Sequence, residues 1–456
     1  MKKFLHLWVP IFLSNAIIML SSLFDVIFLS HFSPQHVAAL AVCLSVCLFV
    51  CLSVYSLCFV TGIGVLQGMM QELAEANGRQ DYADIQRIVK QSILIVLVIS
   101  AVAMYLFNHA TPLLHFLKAD AALQALIVSC LWLLAWTIPA HLLLRILYIL
   151  TQACGQAKRV FYANMIYLLL KVALAYVLIY GIEGYVTSYG VEGAFMAHLI
   201  VQWVLLFVYY FFFLERKLKI QWSGVFFHWQ TLWKILKIGL PNAVVTFVDV
   251  FAISAIALLI LPSGDIVVNA HQVMLGLLGL MFMLPMSMAS AFGILVSTKI
   301  GAEQIDAAWQ LSKWALMAVM LIAIVVMLTI WGLDSWIVGL FSNDAQVITL
   351  ALASILLMCW MHIFDELLVI SLAMLRCWRE IVRPMFIFIS TVLVVGLGGS
   401  WYVAYHPMTL FNWQSNALGI HGFSWMLSIA YTIAASLCFV CLLIKYLSYK
   451  RIRLTV

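Results

Sequence analysis

The stretch Lys237-Ile-Gly-Leu-Pro-Asn-Ala-Val-Val-Thr-Phe-Val-Asp-Val-Phe-Ala-Ile-Ser-Ala-Ile-Ala-Leu-Leu-Ile260 is an apolar run broken by Pro241 near one end and carrying a single acid, Asp249. A run of this length specifies a transmembrane helix, because about 20 apolar residues rising 1.5 Å each span the hydrocarbon core. Asp249 lies 12 residues beyond Lys237, roughly 18 Å along the axis, which puts it near the bilayer midplane. A charged carboxylate at that depth costs on the order of 3 kcal/mol even on lenient insertion scales, so its presence points to an ion or substrate site. Pro241 frees a backbone carbonyl, which is tolerated in a membrane where that group faces protein or a wet cavity.

The rest of the chain has the same character. Of its 456 residues, 66% are hydrophobic and 9% charged, too few charges to cover a water-soluble domain. The fold class is therefore an all-α integral membrane protein. Apolar runs bounded by polar or Gly/Pro punctuation give twelve spans, near 7–30, 42–70, 91–109, 122–150, 160–182, 192–214, 238–261, 268–298, 314–334, 346–375, 383–405 and 422–446. The first run continues past Phe28, too long for a cleaved leader, and is read as the first span. Ten cysteines lie almost wholly inside these runs, Cys43, Cys47 and Cys51 at helical spacing, and read as packing rather than as disulfides or metal ligands.

Basic residues report topology. Twenty-one of the 24 Lys and Arg residues fall on one side of the twelve spans, Lys118 on the other, and Arg145 and Lys171 within spans. The positive-inside rule then places both termini in the cytoplasm, in a cell membrane of the bacterial inner-membrane type. The one long basic linker, 215–237, carries Trp222, Phe226, Phe227, Trp229 and Trp233 and is expected to lie at the cytoplasmic interface. It separates a six-helix lobe, 1–214, from a second, 238–456. The lobes repeat at offsets of 224 to 231 residues: Pro10 with Pro241, Pro34 with Pro262, Ala39 with Ala270, Gly64 with Gly293, Asp120 with Asp344, and Gly190 with Gly419. An even number of helices per half makes this a parallel, pseudo-twofold repeat, which implies alternating access around a site rather than an enzyme. Scattered basic residues give no footprint for nucleic acid, and no Gly-x4-Gly-Lys-Ser/Thr loop is present to take ATP.

Four acids stand deep within the spans: Asp25, about 9 Å from the outer end of the first helix, Asp249, Asp365, which precedes Arg376 by 11 residues, roughly 16 Å, and its neighbour Glu366. Glu366 is about 100° round the helix from Asp365. Asp249 and Asp365 share a lobe, where two carboxylates repel unless a cation neutralises them. Hard oxygen ligands suit Na⁺, in which case Asp249 and Asp365 are its metal ligands, and carboxylates equally take H⁺. The first lobe instead mixes Asp25 with Arg145, Lys171 and His141, which the repeat offset makes the counterpart of Asp365. An ion pair between Asp25 and Lys171 is expected, because an unpaired charge in hydrocarbon is costly. Trp360, Phe364, Trp378, Phe247, Tyr55 and the run Met281, Met283, Met286 and Met288 can line a pocket for flat cations, though such residues more often fill cores.

These residues resemble the multidrug and toxic compound extrusion (MATE) family, in its NorM-like branch. The resemblance is carried by Pro10 with Asp25, Gly239-Leu-Pro with the acid eight residues on, Asn269-Ala-His-Gln, the run Met283-Leu-Pro-Met-Ser-Met-Ala, Phe364-Asp365, Leu375-Arg376 and Arg383-Pro384. It implies twelve helices in two lobes and secondary active efflux of organic cations in exchange for H⁺ or Na⁺. Asp25, Asp249 and Asp365 become the candidate coupling acids, and Gln272 joins Glu366, Lys171, Arg145, His141, Met283, Trp360 and Phe364 as candidates for the substrate or charge network. Asp249 stands where that branch usually has Glu, and Met361 where a Tyr often lies one turn before the helix-ten acid, departures that favour H⁺. No cofactor beyond the coupling ion, and a monomer in the lipid bilayer, are expected. The alternative within the superfamily is a flippase of lipid or polysaccharide intermediates, kept open by Arg145 and Lys171. A remoter one is an intramembrane aspartyl protease using Asp249 and Asp365, for which Asp365 lacks the Gly-x-Gly-Asp setting.

Overall fold

The computed structural model describes residues 2–32, 62–109, 121–215, 218, 220, 227–260, 263–342, 344–410, 413–415 and 419–455. Nearly all of them are helical. In the first half run α1 (Lys2–Phe32), α2 (62–79), α3 (Tyr82–Asn108), α4 (Ala121–Ala153), α5 (Ala157–Tyr180) and α6 (Gly190–Val208), which ends in a π-helical turn, Tyr209–Phe213. In the second run α7 (Trp229–Ile260), α8 (Asp265–Gly301), α9 (Ile305–Gly332), the short α10 (Asp334–Phe341), α11 (Ala345–Cys377) and α12 (Val382–Ser390). A π-helical stretch, Thr391–Gly398, joins α12 to α13 (Gly399–Tyr405), and α14 (Ile420–Thr455) closes the chain. A two-stranded antiparallel ribbon, Met408–Leu410 with Trp413–Ser415, precedes α14.

Eleven helices among the described residues are long and apolar enough to cross a membrane. The second expected span lies partly outside them, with Tyr55 and Cys43, Cys47 and Cys51. Helix ends differ from the apolar runs in a consistent direction. α3 starts at Tyr82 rather than near 91, α7 at Trp229 rather than 238, α9 at Ile305 rather than 314, and α14 runs on to Thr455. Lys and Arg mark where water begins, whereas the helix continues past that level, its backbone bonds satisfied internally in either solvent. At the start of α7, His228 Nδ1 meets Thr231 Oγ1 at 2.9 Å, and exposed Trp229 and Trp233 stack with centroids 6.0 Å apart, as interfacial aromatics do.

Two compact units form, Met1–Ala243 and Val244–Val456. The first extends into α7 because the start of that helix packs on α2 backbone to backbone. A Cβ at Gly64 would fall 2.3 Å from Ala243 Cα, and one at Gly239 would fall 2.6 Å from Val65 Cα. Gly64 and Gly68 on α2, and Gly239 and Ala243 on α7, are each four residues apart, the small-residue spacing that lets membrane helices touch. Asn242 Nδ2 donates to Gly64 O across the contact at 3.4 Å.

Within each unit the helices pair in the same order. In unit 1, α3 packs on α4, α4 on α6, and α5 on α6. In unit 2, α9 packs on α11, α11 on α14, and the π stretch and α13 on α14. The repeat legible in the sequence is thus a repeat of packing. Unit 1 adds a close α1–α5 pair, fastened near the C-terminal ends of both helices by Tyr180, whose hydroxyl donates to Phe28 O at 2.7 Å. That pairing decides which side chain meets Asp25.

Candidate functional site

Unit 2 gathers its acids beside α14. Asp249 stands on α7 eight residues past Pro241, and Asp365 on the middle of α11. Tyr431 of α14, only 5% exposed, donates its hydroxyl hydrogen to Asp249 Oδ1. A phenol sealed in an apolar interior needs such an acceptor, and Phe388 of α12 holds its ring edge-on at 6.3 Å. Asp365 is near enough for its charge to act on both Asp249 and Tyr431. The three groups therefore form one cluster drawn from α7, α11 and α14. Met361, where the family resemblance places a Tyr, is buried, and the hydroxyl at this cluster comes from Tyr431 instead.

Burial separates the acids. Asp249 and Asp365 are part-buried and keep some accessible surface, whereas Glu366 has none. Glu366 Oε1 lies 3.2 Å from Nδ1 of His362, one turn earlier on the same helix, and His362 is also sealed. Glu366 thus sits in the packing, whereas Asp249 and Asp365 do not lie wholly within it.

Unit 1 builds a different constellation. Lys171 Nζ on α5 lies 2.5 Å from Asp25 Oδ2 on α1, with 5% of the Lys171 side chain and 26% of the Asp25 side chain exposed. The pair expected from the cost of buried charge is formed. Tyr167, one turn before Lys171, bonds its hydroxyl to His198 Nδ1 of α6 at 2.8 Å. The His198 ring meets His141 of α4 edge-on at 6.1 Å, and Arg145 follows His141 by one turn. Further along α4, Tyr148 meets Tyr209 edge-on at 4.9 Å, and the Tyr209 hydroxyl donates to Thr151 Oγ1 at 2.9 Å. Polar side chains thus run along α4, α5 and α6 between Asp25 and Thr151. Sequence reasoning missed Tyr167, His198, His362 and Tyr431. Two carried a usable signal, since Tyr167 and His362 each lie four residues before a charged residue already singled out.

The remaining candidates scatter. Trp360 is 54% exposed, donates from Nε1 to Thr432 Oγ1 at 3.2 Å, and faces an apolar groove of about 550 Å³ lined by Met327, Trp331, Leu356, Trp425 and Ile429. Phe364 sits against its ring at 5.1 Å. Gln272 is exposed on the first turns of α8, and Met283 is part-buried in the same helix. Trp378 stacks on Trp309 at 3.8 Å, joining α11 to α9.

The MatE family profile matches residues 10–177 and again 239–401, one match in each half and at the offset of the internal repeat. The chain belongs to the MatE family. Among curated relatives of this MatE chain is a protein named "Probable multidrug resistance protein NorM" from Acinetobacter baylyi, 28% identical over 409 residues and 89% of each chain. Another is "Multidrug resistance protein MdtK" from Yersinia pseudotuberculosis, 26% identical over 96% of this chain and 93% of that one. The fold is similar to that of a crystal structure described as "MATE in complex with MaL6", with a TM-score of 0.85 at 16% identity, covering 99% of this chain and 97% of that one.

Proposed function

We propose that this MatE-family chain is a secondary active multidrug antiporter that exports hydrophobic organic cations in exchange for protons. The observation that carries the reading is the cluster of Asp249, Asp365 and Tyr431, two carboxylates and a hydroxyl on different helices of one unit, each in the middle of an apolar span. Support for the substrate class comes from relatives named for multidrug resistance that match along most of both chains. When both carboxylates are ionised they repel across a medium of low dielectric, and α7 and α11 are pushed apart where they carry them. A proton on either removes the repulsion, and the two helices settle together. An organic cation competes for the same negative charge. Coupling then requires only that proton and substrate favour opposite arrangements. Protons are favoured over Na⁺ because Asp249 and Met361 stand where the family resemblance places a longer Glu and a Tyr, which retracts one oxygen ligand and removes another. In this reading the protein works as a monomer in a bacterial inner membrane with both termini in the cytoplasm, and needs no cofactor beyond its coupling ion.

The test is efflux of a fluorescent organic cation from vesicles holding the purified protein, under an imposed pH gradient in one set and a Na⁺ gradient in the other. Transport driven by the pH gradient and abolished in Asp365→Asn, with the variant still eluting as wild type, is the expected result. Undiminished efflux in Asp365→Asn removes the central claim, and drive by Na⁺ alone reassigns the ion.

A further inference from the structure

Arg145 stands apart from every other charge in the interior of unit 1. It lies on α4 eight residues before Ala153, roughly 12 Å inside the cytoplasmic end of the helix. Its Nε is sealed and has no acceptor, while the residue as a whole keeps accessible surface. Among the described residues no carboxylate acts on it, the nearest interacting groups being Tyr148 and His141 of its own helix. Asp25, the acid in the neighbouring constellation, is already taken by Lys171.

A guanidinium held at this depth without an anion costs several kcal/mol, so a sequence that keeps one has a use for its charge. The surroundings favour an oxyanion. Arg presents its donors in a planar fork matched to carboxylate and phosphate. His141 lies one turn away, and Tyr148, 5% exposed, brings a sealed hydroxyl with no partner of its own. An arriving anion would give both the Arg145 guanidinium and the Tyr148 hydroxyl a partner. We propose that unit 1 carries an oxyanion-binding site built on Arg145, with His141 and Tyr148 beside it, which takes the carboxylate or phosphate group of an organic substrate. The inference rests on the transport reading and names a subsite within it.

The test uses the full-length protein in detergent and three probes: a rhodamine with a free carboxyl, its methyl ester, and short-chain phosphatidic acid. Wild type binds at least one of the two oxyanion probes, and Arg145→Gln binds that probe at least about tenfold more weakly. The ester, lacking the anion, binds both proteins alike, and Arg145→Lys retains part of the oxyanion affinity. Dependence of the dye on Arg145 assigns a soluble substrate, and dependence of the lipid alone assigns a headgroup. Because Arg145→Gln can fail to fold, wild-type protein is also treated with phenylglyoxal and the Arg145 peptide is followed by mass spectrometry, where either oxyanion slows modification. Equal binding of the acids by wild type and Arg145→Gln, no binding of either acid, or modification indifferent to both overturns the site. Transport of the ester under a pH gradient is measured separately. Its absence alongside Arg145-dependent anion binding would sink the antiport reading and leave the site standing.

Discussion

Replacing Asp25 by Asn leaves Lys171 as a cation with 5% of its side chain exposed and no counter-charge, a perturbation whose size follows from the geometry. At 2.5 Å and an effective dielectric near 20, the attraction is about 7 kcal/mol, most of it offset by the desolvation of both groups. What survives is the penalty of stranding one partner, about 3–5 kcal/mol for Asp25→Asn. Lys171→Met strands the other partner, but Asp25 keeps 26% of its side chain exposed and can draw on water, so a smaller cost of about 1–3 kcal/mol is expected. In the double variant no charge is left, and its destabilisation falls short of the sum of the singles by about 3 kcal/mol. The assay is equilibrium unfolding of the purified protein in mixed micelles of rising dodecyl sulfate content, followed by tryptophan fluorescence, for all four members of the cycle. If the double variant costs the sum of the singles within about 0.5 kcal/mol, the two residues are not coupled and the reasoning fails.

Removing the Tyr431 hydroxyl with Phe deletes a hydrogen bond to a carboxylate, worth about 1.5–3 kcal/mol. Proton-driven efflux should fall several-fold at unchanged expression, and wild-type rates would take Tyr431 out of the coupling cluster. Glu366→Gln should keep ion-driven transport, because that carboxylate has no accessible surface; a loss as deep as in Asp365→Asn would place Glu366 on the exchange path. Gly239→Ala puts a methyl group 2.6 Å from Val65 Cα and should cost about 1–3 kcal/mol in the same micelle titration, whereas a neutral result would mean that α2 and α7 part freely.

The spans were legible in the sequence because hydrocarbon thickness dictates their length. Helix ends were not, since α3, α7 and α9 begin well before their apolar runs and leave the hydrocarbon as helices. The Asp25–Lys171 pair was legible for an energetic reason: charges at membrane depth must find each other, and few were available. The other partners were hidden by the solvent itself. In a soluble bundle an apolar stripe tells which face turns inward, but helices in lipid are apolar all round and carry no such stripe. Nothing along α14 therefore marks Tyr431 as facing Asp249, nor anything along α6 mark His198 as facing Tyr167. By itself the sequence determined a twelve-span membrane chain with an internal repeat and acids at depth. Which hydroxyl, imidazole or ammonium each buried charge meets, and that Glu366 is sealed while Asp249 and Asp365 are not, was decided only when neighbouring helices packed and fixed each other's rotation.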